Sequence, residues 1–237
     1  MNDLFQQYWR QYLWGSPGHW TGLAMTLWLT VVSVALGFGL ALPLAVLRVS
    51  TRRWVAGQVW LFTHVFRGTP LSVQLLLCYT GLYSLDAVRA TPVLAAFFKD
   101  ALNCTLLAFT LNTAAYTTEI FAGAIQATSR GEVEAARAFG MSGVTLYRRI
   151  ILPSALRRAL PAYSNEVILM LHATTLAGTA TVVDLLKVAR NAASDYYLPF
   201  VAYGLAALLY LTVTLGLVHL FRRAERRWLA YLRPVEG

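Results

Sequence analysis

Apolar runs of about twenty residues or more recur along this chain, separated by short polar stretches that are mostly basic, and such a run is what a helix needs to cross a lipid core. The first, Thr21 to Leu47, is uncharged throughout, and Arg48, Arg52 and Arg53 follow it at once. The second, from Val55 to Tyr83, is interrupted at Arg67-Gly68-Thr69-Pro70. A third from about Leu102 to Ala127, a fourth from Pro153 or Pro161 to about Thr181, and a fifth from Phe200 to Phe221 complete the set. Ahead of them Leu4, Phe5, Tyr8, Trp9, Tyr12 and Leu13 recur at helical spacing, which predicts an amphipathic helix lying along the membrane surface. Val93 to Phe98 predicts a short surface helix between the second and third spans. The expected fold is all-α, a polytopic membrane helix bundle with about five transmembrane helices.

Composition agrees with a membrane protein. The chain is 57% hydrophobic and 13% charged, against roughly 45–50% and 25% for soluble domains. A formal charge of +9 would suit nucleic acid, but the arginines sit beside apolar runs and not along one soluble face, so no nucleic-acid partner is expected and membrane lipid is. Basic residues also orient the bundle. Arg48, Arg52, Arg53, Arg130, Arg137, Arg148, Arg149, Arg157, Arg158, Arg222, Arg223, Arg226, Arg227 and Arg233 fall on one side, and only Arg10, Arg89, Lys99, Lys187 and Arg190 on the other, among Asp3, Asp86, Asp100, Asp184 and Asp195. Because basic residues accumulate on the cytoplasmic side, the N-terminus is expected outside and the C-terminus inside. The resulting division is an extracytoplasmic segment over residues 1–19, a transmembrane domain over 20–221 with a cytoplasmic loop at 130–153, and a basic cytoplasmic tail over 222–237. That tail either binds anionic lipid or holds the helix end in place. No Lys/Arg-led signal opens the chain, so insertion is expected to rely on the internal spans. Cys78 and Cys104 both lie in apolar runs, without metal-ligand spacing.

Polar residues inside the spans are the candidates for contact with a solute. An Arg and a Gly-x-Pro break at membrane depth must face protein or water. Either Arg67 snorkels from near the cytoplasmic end, or the break opens backbone groups toward a path where Thr69 and Gln74 reach a solute. In the third span Thr105, Asn112, Tyr116, Glu119 and Gly123 share one face. That face either meets solute or packs by interhelical hydrogen bonds. The fourth span carries Asn165, Glu166 and His172, with Asn165 and His172 on one side. Glu166 is either a second buried carboxylate or a group near the inner interface, and His172 either a packed neutral histidine or a ligand.

The loop from Glu132 to Pro153 is the polar, turn-bearing exception between greasy segments. Glu134, Ala135 and Ala136 lie among good helix formers. Gly140 is placed to end that helix in the left-handed conformation, Ser142 to cap a second run through Tyr147, Arg148 and Arg149, and Pro153 to open the next span. Glu134-Ala135-Ala136, three residues, Gly140, nine residues, then Ile150-x-Leu152-Pro153 resembles the EAA signature of ABC importer permeases. Arg67-Gly68-Thr69-Pro70 with Gln74, and Tyr116-x-x-Glu119-Ile120-Phe121 with Gly123, resemble further marks of the polar amino-acid branch of that family.

The resemblance implies a type I importer fold and a bacterial inner-membrane location. It implies a pair of similar permeases, a heterodimer, above a dimer of ATP-binding subunits, and an extracytoplasmic amino-acid-binding protein that delivers solute. Glu134, Ala135, Ala136, Arg137, Gly140, Ile150, Leu152 and Pro153 would then couple to the ATPase. Overall likeness, and not any one residue, points to histidine, lysine, arginine and ornithine as solutes. No Gly is followed by Lys, so the chain has no phosphate-cradling loop of its own. ATP is therefore expected in the partner subunit, with neither a cofactor nor an enzymatic activity here. The buried carboxylates also suit an ion-coupled secondary transporter, although no internal inverted repeat is detectable. No nucleophile–base or metal constellation suggests a membrane-embedded enzyme.

Overall fold

The computed structural model describes residues 2–16 and 19–229. The side chains of Asp3, Leu4 and Phe5, and Arg233 of the basic tail, lie outside the described residues. Helix α1 (Asn2–Leu13) leads through a two-residue antiparallel pair, β1 (Gly15–Ser16) and β2 (His19–Trp20), into α2 (Gly22–Arg48). Next come α3 (Arg53–Gly68), α4 (Leu71–Ser84, with a π-helical turn at Leu77–Gly81), α5 (Asp86–Arg89) and α6 (Pro92–Lys99). Helix α7 (Ala101–Gln126) precedes the polar loop, which holds α8 (Arg130–Ala138) and α9 (Gly143–Leu146). Helix α10 (Leu152–Ala173) passes through a 3-10 stretch (Thr174–Ala180) to α11 (Leu185–Tyr196) and α12 (Pro199–Trp228).

Among the described residues, two helices are long and apolar enough to cross a membrane unaided, α2 with a mean hydropathy of 2.2 and α12 with 2.0. Helix α7 joins them when taken with α6, from which it bends by 86°. The remaining two of the five expected spans fail that test for local reasons. The second is broken between α3 and α4, where Thr69 and Pro70 are extended. The fourth, α10, carries Arg157, Arg158, Asn165, Glu166 and His172.

Helix α7 lies at the centre, packed along α2 and flanked by α3 and α10. The buried residues of α2 are Gly22, Thr26, Leu29, Thr30, Ser33, Gly37, Ala41 and Ala45, nearly all small and repeating every third or fourth position. Small residues let two helices approach where lipid gives no hydrophobic drive for association. A Cβ on Gly37 would stand 2.3 Å from Thr113 Cγ2, so the approach there requires glycine.

Ahead of α2, α1 is docked on protein. Tyr8 and Tyr12 are buried; the Tyr8 hydroxyl donates to Asp195 and that of Tyr12 to the Ala202 carbonyl at 2.9 Å. The face expected on the lipid surface therefore packs against α11 and α12, because its tyrosines find fixed acceptors there. Burial, then the hydrogen bond to Asp195, pushes the Tyr8 phenol up to about 12. Gly22 makes this corner possible: it sits at φ +59°, and a Cβ would fall 2.1 Å from the Gln11 carbonyl oxygen. Asp184 caps α11 by accepting from the amides of Leu186 (3.0 Å) and Lys187 (3.2 Å). Burial pushes its carboxyl up to about 6.

Candidate functional site

In the loop from Glu132 to Pro153, α8 stops as its sequence requires. Gly140 adopts φ +79°, its amide donates to the Arg137 carbonyl at 2.8 Å, and the Met141 amide donates back to the Ala136 carbonyl at 3.0 Å. This pair of bonds satisfies carbonyls that the helix end would orphan. Two expectations are corrected. Ser142 stands at the start of α9 in extended conformation, but its hydroxyl makes no capping bond. Pro153 does not open a new helix: α9 runs through a π-helical turn, Tyr147–Ile151, directly into α10. Proline removes one helical donor, and the wider turn, closed by the Leu152 amide on the Tyr147 carbonyl, takes up the mismatch while the axis continues.

The result is an elbow whose second arm is the span itself. Ala136, Leu146, Ile151 and Ala155 share one buried cluster with Ala41, Ala45, Phe121 and Ile125 of the spans. Ala136 is thus the inward member of the signature, while Glu134, Ala135 and Arg137 are exposed on the opposite side and Phe139 is 84% exposed. Ile150, Leu152 and Pro153 are half-buried, and Ile150 and Pro153 line a groove with Ala135, Phe139 and Met141.

A polar strut that sequence reasoning missed braces this elbow. Arg158 donates to Ser154 Oγ (2.9 Å), Thr128 Oγ1 (2.8 Å) and the Ala124 carbonyl (3.4 Å). The Glu132 carboxylate accepts from Ser154 Oγ at 3.0 Å and lies 4.0 Å from Arg158 Nη1. Only the Ser154–Arg158 spacing, one helical turn, was visible beforehand. Nothing in the order of residues ties Glu132 or Thr128 to it.

At membrane depth the polar candidates gather around the break between α3 and α4. Gln74 Nε2 donates to the carbonyls of Phe66 (2.7 Å) and Thr69 (3.0 Å) and to Thr69 Oγ1 (2.8 Å). From α7, Asn112 Nδ2 donates to the Phe66 carbonyl (3.1 Å) and to Gln74 Oε1 (3.2 Å), and Tyr116 reaches the Arg67 carbonyl at 3.4 Å. The Arg67 guanidinium lies over the Tyr116 ring, 5.2 Å from its centre. An interrupted helix leaves carbonyls that lipid cannot satisfy, and here side chains satisfy them.

The two intramembrane carboxylates have different surroundings. Glu119 accepts from Arg48 Nε at 2.8 Å and from Thr63 Oγ1 at 2.6 Å, so it ties α7 to the C-terminal end of α2 and to α3. Glu166 is buried and accepts from Thr113 Oγ1 at 3.2 Å. Among the described residues no Lys or Arg lies within ion-pair distance of it. Asn165 and His172 are both exposed on α10, and His172 Nε2 lies 3.1 Å from Thr214 Oγ1 of α12. The structure thus brings Thr69, Gln74, Asn112 and Tyr116 into one cluster and keeps Glu119, Glu166 and His172 apart from it. No three metal-ligating side chains gather among the described residues.

This architecture has known counterparts. A family model described as binding-protein-dependent transport system inner membrane component matches residues 33–227. The histidine/lysine/arginine/ornithine transport system permease protein HisM of Salmonella typhimurium LT2 is 59% identical over 232 residues, 98% of this chain and 99% of its own. The protein of the same description in Escherichia coli K12 is 58% identical over 234 residues, 99% of this chain and 98% of its own. The octopine transport system permease protein OccM of Rhizobium meliloti is 42% identical, covering 86% of this chain and 83% of its own. A solved amino acid ABC transporter with histidines superimposes with a TM-score of 0.76 at 34% identity, over 87% of this chain and 92% of that one. A methionine ABC transporter in an inward-facing conformation shares the fold with a TM-score of 0.68 at 20% identity, over 86% and 93%.

Proposed function

The chain belongs to the family of binding-protein-dependent transport system inner membrane components, and from that premise we propose that it is the permease subunit of an ATP-driven importer of histidine, lysine, arginine and ornithine. Relatives that share nearly its whole length carry that description. An ion-coupled secondary transporter is not favoured, since the chain is 34% identical to a solved amino acid ABC transporter and superimposes on it over most of its length. The chain is not itself an enzyme; ATP is bound and hydrolysed in a separate subunit, and no cofactor is needed here.

The observation that carries this reading is the elbow: its signature residues Glu134, Ala135 and Arg137 face outward while Ala136 lies in a core continuous with the spans. An ATP-binding subunit seated in the groove beside Phe139 and Ile150 would hold the exposed side. Its closure would push a body that cannot bend separately from α10, because α9, the π-helical turn and α10 form one helical path. Spans would then tilt between outward and inward openings. The charge asymmetry supports an extracytoplasmic N-terminus and a cytoplasmic C-terminus. Likeness to the relatives supports a second, similar permease alongside, a heterodimer, and a binding protein that delivers solute from outside.

For the solute, Glu166 is the stronger of the two carboxylates. Glu119 already has the Arg48 cation, whereas Glu166 has the Thr113 hydroxyl as its hydrogen-bond partner and no ion-pair partner among the described residues, and so is the carboxylate left to meet an ammonium or guanidinium in a low-dielectric path. Asn165 and His172, on the open side of α10, and the Thr69–Gln74–Asn112–Tyr116 cluster flank that path.

The test is a reconstituted complex with its binding protein, in which ATP hydrolysis is measured against candidate amino acids. Arginine, lysine, histidine and ornithine should each stimulate hydrolysis. Equal stimulation by glutamine would remove the preference for basic solutes. Uptake that persists without ATP and collapses with the proton gradient would remove the importer assignment.

A further inference from the structure

Helix α12 is the least buried of the long helices, and its outward face changes character along its length. Leu208, Leu211 and Leu215 are all exposed by half or more of their surface. At the helical repeat of 3.6 residues the same face continues through His219, Arg222, Arg223 and Arg226. These four are exposed and splay around a shared cleft, and a second cleft beside it is lined by Arg227 and Trp228. The opposite face is the packed one, carrying the buried Ala202 and Ala206; about a quarter turn from the outward line, Thr214 meets His172 of α10 and Glu225 lies within 3.5 Å of Ser164. Among the described residues none of these arginines lies in an ion pair.

We propose that this cleft is a binding site for the headgroup of an anionic phospholipid of the inner leaflet. An orientation signal needs only enough basic residues on the inner side; it does not require them on one face. Here the cations stand on the same helical line as the leucines that would face acyl chains, one to three turns further toward the cytoplasm. A single lipid lying along α12 would therefore meet leucine with its tails and arginine with its phosphate, and arginine matches phosphate oxygens in paired hydrogen bonds. Exposed Trp228 is of the residue type enriched at the membrane–water interface. A second copy of this chain is disfavoured as the occupant, because it would bring the same row of cations against this one.

The complete transporter, purified with its ATP-binding subunit, is delipidated by detergent exchange and then exposed to phosphatidylglycerol or to phosphatidylcholine in nanodiscs, with retained lipid counted by native mass spectrometry. Wild type should keep phosphatidylglycerol and lose phosphatidylcholine. Arg223→Gln with Arg226→Gln should weaken phosphatidylglycerol retention roughly thirtyfold, while Arg223→Lys with Arg226→Lys should keep most of it. Equal retention by the Gln variant would overturn the proposal. So would displacement of the lipid by millimolar inorganic phosphate, which would mark a site for free anions. Loss of the ATP-binding subunit from the Gln variant, with lipid retention unchanged, would assign the arginines to that protein instead. The readout is independent of solute transport, so its failure leaves the permease assignment standing.

Discussion

The elbow and the break between α3 and α4 both carry polar motif residues between apolar helices, yet the two regions treat them in opposite ways. In the elbow the backbone satisfies itself: Gly140 and Met141 close α8, and the π-helical turn passes Pro153. Glu134, Ala135 and Arg137 are consequently free of structural duty and face outward. At the break the backbone cannot satisfy itself in lipid, so Gln74, Asn112 and Tyr116 serve its carbonyls. Side chains at the break first hold the fold, and any contact with solute is added to that duty. Side chains on the elbow are available to a partner protein.

Replacements should separate these roles, beginning where the largest effect is expected. Glu166→Gln should lower arginine-stimulated ATP hydrolysis and uptake roughly 100-fold, since truncating a buried charge that pairs with a ligand costs about 2–5 kcal/mol. Basal hydrolysis and assembly should stay intact. A loss of less than threefold would move the solute's cation elsewhere. Gly140→Val forces a β-branched residue into the left-handed region, at roughly 2 kcal/mol. It should reduce co-purification of the ATP-binding subunit about thirtyfold while thermal unfolding of the spans changes little; intact association would detach the elbow from that partner.

At the break the readout should be stability. Asn112→Ala combined with Gln74→Ala removes both donors to the Phe66 carbonyl, which costs about 1–3 kcal/mol and should show as earlier unfolding of the detergent-solubilised complex, with each single replacement, which leaves one donor, costing less. An unchanged midpoint accompanied by altered solute preference would give these side chains the role assigned to Glu166. Glu119→Gln should cost less, about 1 kcal/mol or below, because both partners of its ion pair are about a fifth to a quarter exposed to screening.

The smallest effect concerns pH at the corner where α1 and α2 meet α11. Burial raises Asp184 to about 6 in the fold, above its ordinary range near 4. A carboxyl raised on folding favours the protonated fold, so stability is greatest below about pH 4, falls as pH rises toward 6, and levels off above it. Hydrogen exchange at the start of α11 should accordingly be slower at pH 5 than at pH 7, after correction for the intrinsic rate. Asp184→Asn should flatten that dependence.

Order along the chain was enough for much of this. The runs of apolar residues marked the two long apolar helices, α2 and α12, and the bent α6–α7 pair, and arginine placement set the expected orientation, because transfer into lipid depends on composition over about twenty positions. The stop at Gly140 was legible because left-handed backbone is cheap only for a residue without a Cβ, and the EAA spacing was legible because its contacts lie within a few helical turns. Tertiary structure alone decided the rest. Arg48 and Glu119 are 71 residues apart, and Glu132 and Arg158 bracket two helices and a turn. Which carboxylate received a cation, which amide capped the break and which residues braced the elbow depended on how separate helices pack side by side, and no local period encodes those distances.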